Sequence, residues 1–352
     1  TRTGPASYYD EFGKVILIGD NVPRFDHDST TRECKGLLIE ESSTNEWRDS
    51  ESLTNGIDGY TLPNGLTTPA GGSTAVKIPA GANNTWWSAG SGGFSVTSGD
   101  YWTMSWWAYS TIQSVDFANS DYYYVANTTI SQDKTVPAGQ WKRCFRTVQF
   151  DASGSPQIRF MPYNYTLYTD TNNEVFVWGF QFEKTQFPTS YIPTYGYTTT
   201  RGADFALIDG EDFTDFFNQA EGTIITSTNS LNTSATQYPM VIEGDVTGNE
   251  RHIFSEANAY QYQIKDGGST VAQIDAGSIS TPKNIIAAAY KLNDAAVSIN
   301  GSDAATDTSV TMPTCTKLKL GHWSSTNYFG HISRFMYYRN KVSNSQLKTL
   351  SS

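Results

Sequence analysis

The sequence predicts an all-β protein with two antiparallel β-sandwich (jelly-roll) domains, an extended N-terminal lead-in and a short C-terminal helix. Charged residues make up only 17% and aromatic residues 14% of the 352 residues, a composition that suits half-buried, pleated strands. Short alternating runs recur between Gly, Asn and Pro turns, as expected for strands joined by tight connections. Helical periodicity is nearly absent, so alternating β/α units and coiled coils are excluded.

Residues 1–46 are predicted to form the lead-in. The apolar runs 14–18 and 36–40 have the length and composition of strands. The segment 21–28 between them is charged and rich in turn-forming residues, so we expect it to be a connector without regular structure.

Residues 47–195 are predicted to form the first sandwich. Its clearest strand is 101–109, where Trp102 and Trp106 alternate with Trp107 and Tyr109 and therefore lie on opposite faces. Two prolines in the segment 187–194 predict a linker or an edge, which places the domain boundary near residue 195. Further strands are expected at 122–126, 142–150, 157–161 and 174–182.

Residues 196–352 are predicted to form the second sandwich. The pair Asn293-Asp294 indicates a two-residue hairpin turn. Ser343 and Gln346 fit a capping box for a helix over 347–350, and a second short helix is expected at 213–218. Strands are expected at 222–227, 251–255, 259–265, 271–276, 285–292, 295–300, 317–321 and 330–338.

The net charge of −11 argues against nucleic acid as a partner, because phosphate binding needs a surface rich in Lys and Arg. Membrane insertion is not expected either, since no run approaches the roughly 20 apolar residues of a membrane span. Cys34, Cys144 and Cys315 are widely spaced and odd in number, which gives neither a disulfide framework nor a metal-ligand pattern. We expect them to be buried free thiols.

Three blocks of sequence carry a resemblance to known families. The block NVPRFDHDSTTRECKGLLIEESSTN (residues 21–45) resembles a segment recurrent in bacteriophage tail-fibre and virion-surface proteins, where it leads into a carbohydrate-binding-module-like jelly roll. The block EVFVWGFQFEKTQFPTSYIPT (174–194) is similar to the strand that closes such jelly rolls. The final third, from NIIAAAYKLND (284–294) onward, resembles a concanavalin A-like or laminin-G-like lectin sandwich.

The resemblance implies a protein of the phage particle surface, from a tail or head fibre, that binds host surface glycans and other virion proteins. Proteins of this class are commonly homotrimers, so a trimer is expected. Two alternatives stay open: a tailspike-type polysaccharide depolymerase and a structural protein that decorates the capsid. No short repeat of the kind found in β-helical tailspikes is visible.

Aromatic rings at exposed positions of a sandwich are candidates for stacking on sugars, because the C–H face of a pyranose packs on an aromatic face. The alternative for each ring is packing in the core. It is stronger for Trp106 and Trp107, where alternation puts one ring in the core and leaves Trp107 and Tyr109 as a possible exposed pair. The candidate glycan-binding residues are Trp86, Trp87, Trp107, Tyr109, Tyr122, Tyr123, Tyr124, His322, Trp323 and Tyr328.

No cofactor is predicted. Calcium is an alternative for which the acidic turns 209–212 and 243–245 offer carboxylates, although such turns are usually only solvated. A glycosidase needs two carboxylates at a defined separation, and spacing in the sequence selects no pair. Asp26, Asp28, Glu40 and Glu41 are better explained as polar anchors of the lead-in. No nucleophile elbow, His-Glu-x-x-His or phosphate loop occurs, so binding without catalysis is expected.

Overall fold

The structure is a computed structural model that describes residues 1–52, 60–78, 87–88, 95–117, 121–123, 125–156, 158–160, 172–231, 235–279, 283–324 and 326–352. Within these residues it contains thirty strands, a single 3-10 turn and two short α-helices. The predicted all-β sandwich fold with a C-terminal helix is confirmed. No helix in the described part of the chain is long and apolar enough to cross a membrane.

The elements follow one another in a continuous series of short strands. The strands are β1 (Ala6–Tyr9), β2 (Val15–Ile18), β3 (Phe25–His27), β4 (Cys34–Ile39), β5 (Ser43–Asn45), β6 (Tyr60–Thr61), β7 (Thr74–Ile78), β8 (Trp87–Ser88), β9 (Tyr101–Ser110), β10 (Val115–Asp116), β11 (Asp121–Tyr122), β12 (Asn127–Asp133), β13 (Thr135–Val136), β14 (Lys142–Phe150), β15 (Arg159–Phe160), β16 (Val175–Glu183), β17 (Thr199–Arg201), β18 (Ala206–Asp209), β19 (Glu221–Ser230), β20 (Gln237–Glu243), β21 (Glu250–Glu256), β22 (Ala259–Asp266), β23 (Ser269–Ser278), β24 (Asn284–Lys291), β25 (Ala295–Ile299), β26 (Ala305–Asp307), β27 (Lys317–Leu320), β28 (His322–Trp323), β29 (Thr326–Asn327) and β30 (Gly330–Tyr338). The helices are α1 (Gly210–Thr214) and α2 (Asn344–Leu350), and a 3-10 turn covers Pro63–Gly65.

The chain packs into two compact units that differ from the predicted domains. The first unit comprises residues 3–20 and 42–202, and the second comprises residues 1–2, 21–41 and 203–352. The predicted lead-in 1–46 is therefore not a separate segment. Its hairpin β1–β2 belongs to the first unit, whereas β3 and β4 pair within a large sheet of the second unit. The domain boundary, predicted near residue 195, lies instead between residues 202 and 203. Strand β17 pairs with β5 and therefore belongs to the first unit.

The first unit is built on a six-stranded antiparallel sheet with the order β12-β14-β9-β16-β7-β6. The predicted alternation of β9 is confirmed, since Trp102 and Trp106 lie in the main core together with Phe160. Trp107 lies on the opposite face, in a second buried cluster with Val15. Both faces of this strand are thus covered, which is why nearly all of it is buried.

The segment 187–194, predicted as a linker or edge, is instead an integral part of the first unit. Tyr191 and Ile192 are 1% and 0% exposed. Thr189 binds the buried Glu183 carboxylate through its backbone N–H, at 2.8 Å from Oε1, and through its hydroxyl, at 2.6 Å from Oε2. Ser43 donates a third hydrogen bond to Glu183, 2.7 Å long. The two blocks that resemble phage proteins are therefore joined by buried polar contacts.

The second unit is a sandwich of two antiparallel sheets. The six-stranded sheet has the order β18-β27-β20-β21-β22-β23, and the seven-stranded sheet has the order β26-β25-β24-β19-β30-β4-β3. Their inner faces share one core, in which Ile253 and Tyr262 of the first sheet join Ile224 and Ala288 of the second. Arg251 is also buried here, and its guanidinium carbon lies 4.4 Å from the centre of the Tyr290 ring.

Polar anchors hold the lead-in strands of the second unit, as the sequence predicts for Asp26 and Glu40, whereas Glu41 is exposed. Arg24 is 1% exposed and forms ion pairs with Glu40, at 2.6 Å from Nη1 to Oε2, and with Asp204. On β3, which the sequence analysis assigned to an irregular connector, Asp26 Oδ2 lies 2.9 Å from His331 Nε2. Buried charges need such partners, because an isolated charge is costly to remove from water.

Local signals in the second unit are mostly confirmed. Asn293 has the positive φ of 53° that its hairpin turn requires. Ser343 caps α2, and its capping box with Gln346 is complete. The short helix expected at 213–218 is found slightly earlier, as α1.

Candidate functional site

Aromatic side chains gather on the outer face of the six-stranded sheet of the second unit, the side turned away from its core. Strand β21 alternates, so Ile253 points into the core while His252 and Phe254 point to the opposite face, where they are 0% and 5% exposed. Tyr238 on the neighbouring strand β20 lies beside both, with ring-centre distances of 5.7 Å to His252 and 5.5 Å to Phe254.

The two-residue strands β28 and β29 form a small hairpin that brings Trp323 onto this face. The His322 Nδ1 atom lies 2.7 Å from Asn327 Oδ1, which ties the two strands together, and the imidazole stacks on Phe205. Gly321 precedes the hairpin with φ at +83°, and a Cβ there would lie 2.4 Å from Ile39 Cγ2. Only glycine fits this entry to the hairpin, because its backbone is left-handed and crowded.

The half-buried Trp323 indole completes the cluster. Its ring centre lies 4.6 Å from that of Tyr238 and 5.1 Å from that of His252. We call Tyr238, His252, Phe254 and Trp323 the aromatic cluster. Its rings are held against one another at contact distance, so Trp323 is presented in a fixed orientation rather than on a free loop.

Two charged side chains border the aromatic cluster. Glu250 Oε2 lies 3.0 Å from His252 Nε2 and 3.7 Å from Lys265 Nζ. Lys265 Nζ also lies 4.9 Å from the centre of the Trp323 ring, within the range of a cation–π interaction. The site therefore combines π faces, one carboxylate and one ammonium.

The pKa of Glu250 reflects these neighbours. Partial burial raises its pKa, but its contacts with the His252 ring, the Lys265 ammonium and the Trp323 indole together outweigh that effect. The pKa of Glu250 consequently lies below its usual range, and the carboxylate is ionised at neutral pH. Burial and the nearby carboxylates Glu256 and Glu250 raise the pKa of Tyr238, so its phenol is neutral and can donate a hydrogen bond.

Side-chain amides extend the site across β22 and β23. Gln263 Nε2 donates to Gln273 Oε1 at 3.0 Å, and Gln273 Nε2 donates to Gln261 Oε1 at 2.5 Å. His252 is the register partner of Gln263, so this row begins beside the aromatic cluster. Amide donors and acceptors next to an aromatic ring can bind hydroxyl groups while the ring packs against an apolar surface.

Two of the predicted site residues, His322 and Trp323, belong to this site. Tyr328 does not, because its ring is fully buried against Ile39 and Ile332. Its polar neighbours in the sequence suggested exposure, but the chain turns inward after β29. This correction removes Tyr328 from the candidates.

Two of the candidates in the first unit are core residues. Trp107 and Tyr123 are 3% and 1% exposed and pack in the two cores, which removes them from the candidates. Tyr109 is half-buried, with its ring centre 5.6 Å from that of Trp141. Trp87 and Tyr122 lie in β8 and β11, which both pair with β15, and Trp86 and Tyr124 fall outside the described residues.

Of the two acidic turns considered for calcium, 209–212 runs from the end of β18 into α1, and 243–245 is engaged with lysines. Asp245 Oδ1 lies 3.2 Å from Lys317 Nζ, and Glu243 Oε1 lies 2.7 Å from Lys319 Nζ. In the described part of the chain, no group of three or more His, Cys, Asp or Glu side chains is arranged to hold a metal ion.

Sequence reasoning missed Tyr238, His252, Glu250 and Lys265. Strand β20 was not predicted, because Pro239 interrupts it and proline is unfavourable in a ladder. The structure accommodates Pro239 at an irregularity of register between Gln237 and Met240. The outward alternation of β21 and β22 was a usable signal, but only the fold shows that Trp323 lies beside them.

The chain has distant similarities to solved structures. The CBM40 of the Ruminococcus gnavus IT-sialidase bound to α2,3 sialyllactose matches with a TM-score of 0.34 and 17% identity, over 38% of this chain and 84% of that one. The leech intramolecular trans-sialidase matches with a TM-score of 0.36 and 14% identity, over 42% and 27% of the two chains. The heptameric SAP-like pentraxin from Limulus polyphemus matches with a TM-score of 0.32 and 13% identity, over 42% of this chain and 82% of that one. At these scores and identities, no conclusion about function rests on them. No family model and no curated protein matches the chain.

Proposed function

We propose that the protein binds glycans at the aromatic cluster of the second unit and does not cleave them. One observation carries the proposal: Trp323 is held half-exposed on an outer sheet face, beside a carboxylate, an ammonium and a row of amides. Such a mixture matches a sugar, which offers an apolar C–H face and a rim of hydroxyl groups.

We further propose that the protein works on the surface of a bacteriophage particle, in a tail or head fibre, as a homotrimer that contacts other virion proteins. The resemblance of residues 21–45 and 174–194 to phage proteins supports this setting. Several copies of a weak site give a useful avidity, which supports the trimer. Light scattering that returns the mass of a single chain at micromolar concentration would contradict the trimer and leave the glycan site unaffected.

A glycan array that includes bacterial capsule and O-antigen polysaccharides tests the binding site. The wild type, Trp323→Ala and Tyr338→Ala are compared, because Tyr338 is an exposed aromatic residue on the other sheet and serves as the matched control. We expect Trp323→Ala to lose about tenfold or more in affinity for every glycan that the wild type binds, since a well-packed Trp contact is worth roughly 2 kcal/mol. Tyr338→Ala should bind as the wild type does.

Two alternatives give different results in the same series. A depolymerase would release new reducing ends from the polysaccharide that it binds. A capsid decoration protein would bind purified capsids tightly and no glycan on the array. Equal binding by wild type and Trp323→Ala would refute the site proposed here.

A further inference from the structure

An ammonium group already occupies the face of the Trp323 ring. Lys265 Nζ lies 4.9 Å from the ring centre and 3.7 Å from Glu250 Oε2. Lysine is flexible, and the side chain of Lys265 is 23% exposed, so this group can swing away without any change in the sheet. The arrangement is that of a cation held between an aromatic face and a carboxylate.

The surroundings of the cluster favour positive charge. The Glu250 side chain is only 12% exposed, so its charge is weakly screened by water. The carboxylates of Glu250 and Glu256 both act on the Tyr238 phenol. The rings of Trp323, Tyr238 and Phe254 add the negative potential of their π faces.

We infer that the aromatic cluster is a cation-accepting site, and that its preferred glycans carry a free ammonium group, as unacetylated amino sugars do. The inference rests on the function proposed above. An ammonium sugar can take the place of Lys265 over Trp323 and still neutralise Glu250. A neutral sugar that displaces Lys265 leaves the Glu250 carboxylate without this partner, and this costs affinity.

Two oligosaccharides that differ only in charge test the inference. The probes are a hexamer of β-1,4-linked glucosamine, used at a mildly acidic pH where its amines are protonated, and the same hexamer fully N-acetylated. The affinity of the full chain for each hexamer is measured by titration calorimetry. Physiological salt limits the non-specific attraction of the cationic hexamer to the acidic protein. We expect the wild type to bind the ammonium hexamer about tenfold or more tightly than the acetylated one, a difference of roughly 1.4 kcal/mol.

Variants of the charged pair connect this preference to the site. Glu250→Gln should weaken binding of the ammonium hexamer about tenfold, and Lys265→Met should strengthen it severalfold, because the internal competitor is gone. Glu221 and Lys291 form a matched pair on the other sheet, with Oε2 and Nζ 3.5 Å apart. Glu221→Gln and Lys291→Met are the controls and should leave both affinities unchanged, and circular dichroism checks that every variant is folded.

The possible results separate the inference from the function on which it rests. If the acetylated hexamer binds as well as the ammonium one, or if Lys265→Met weakens binding, the inference is overturned. If Trp323→Ala loses binding only to neutral glycans on the array, the proposed function stands and the inference is wrong. If Trp323→Ala binds every glycan as the wild type does, the proposed function is wrong, whatever the hexamers show.

Discussion

Asn45 holds together three separate segments of the first unit, and its replacement tests how the two phage-like blocks stabilise that unit. The side chain is fully buried. Its Nδ2 donates to the carbonyls of Phe180, at 3.0 Å, and Ile192, at 2.9 Å, while its Oδ1 accepts from the N–H groups of Trp47 and Phe182, both at 3.0 Å. All four backbone groups belong to buried residues.

The contacts also explain why this position needs an amide. Strand β16 has an irregular register against β9 between Trp178 and Gln181, which interrupts its ladder next to Phe180. Gly179 permits this with φ at +69°, where a Cβ would lie 2.6 Å from the Trp107 ring. The Asn45 side chain binds the Phe180 carbonyl at this irregularity. Only a side chain with both a donor and an acceptor can do so while it also binds the Phe182 N–H.

Asn45→Ala should therefore lower the free energy of unfolding of the first unit by about 4 kcal/mol, since four buried hydrogen bonds are each worth roughly 1 kcal/mol. Asn45→Asp should cost at least as much, because it turns a carboxylate oxygen toward two carbonyl oxygens. Thr44→Ala is the matched control. Its hydroxyl is exposed and meets only that of Thr200, at 2.7 Å, so the expected loss is below about 0.5 kcal/mol.

Urea unfolding followed by tryptophan fluorescence is suited to this measurement, because eight of the nine tryptophans lie between residues 47 and 178. With a urea dependence of about 2 kcal/mol per M, the midpoint should fall by about 2 M in Asn45→Ala. If the midpoint of Asn45→Ala shifts no more than that of Thr44→Ala, the polar contacts of Asn45 do not stabilise the unit and the reasoning is wrong.

Three further predictions concern the second unit and the thiols. Arg251→Ala should destabilise the protein by about 3–5 kcal/mol in urea unfolding, because it opens a cavity beside Tyr290 and leaves the Pro313 carbonyl, now 2.9 Å from Nη2, without its donor; a loss below about 1 kcal/mol would contradict this. A thiol reagent should label only Cys34 quickly in the native protein, because Cys34 is exposed, contrary to the expectation that all three thiols are buried, whereas burial raises the pKa of Cys144 and also that of Cys315, to about 11; rapid labelling of more than one thiol would be the contrary result. Binding of the ammonium hexamer should persist as the pH falls from neutral through the usual pKa range of glutamate and be lost only below it, because the lowered pKa of Glu250 keeps its carboxylate ionised there; loss of binding already above that range would show that another group controls it.

Local patterns in the sequence were sufficient to predict those features of the structure that depend on residues close together in the chain. The alternation of β9 predicted which of Trp106 and Trp107 enters the main core, and the Ser343 signal predicted the cap of α2. Asn293 similarly predicted its hairpin turn, because positive φ is a local requirement. In each case the deciding interactions lie within a few residues.

Local patterns were insufficient where strands from distant parts of the chain meet. Runs 14–18 and 36–40 were recognised as strands, but nothing in them indicates that the second joins β30, almost 300 residues later, in a sheet of the second unit. Tyr328 follows a polar turn and still becomes buried, because β4 supplies Ile39 to cover it. Of the candidate site, Trp323 was predicted, and its neighbours Tyr238 and Lys265 were not, since three different strands bring them together.

A crystal structure of the full chain with the glycan that ranks highest on the array tests the central claim most directly. We expect a sugar ring packed on Trp323, with Lys265 moved off the ring and polar groups of the sugar bonded to Glu250 or the Gln263–Gln273 row. Density for the glycan on any other surface of either unit, with Trp323 and Lys265 in contact as before, would contradict it.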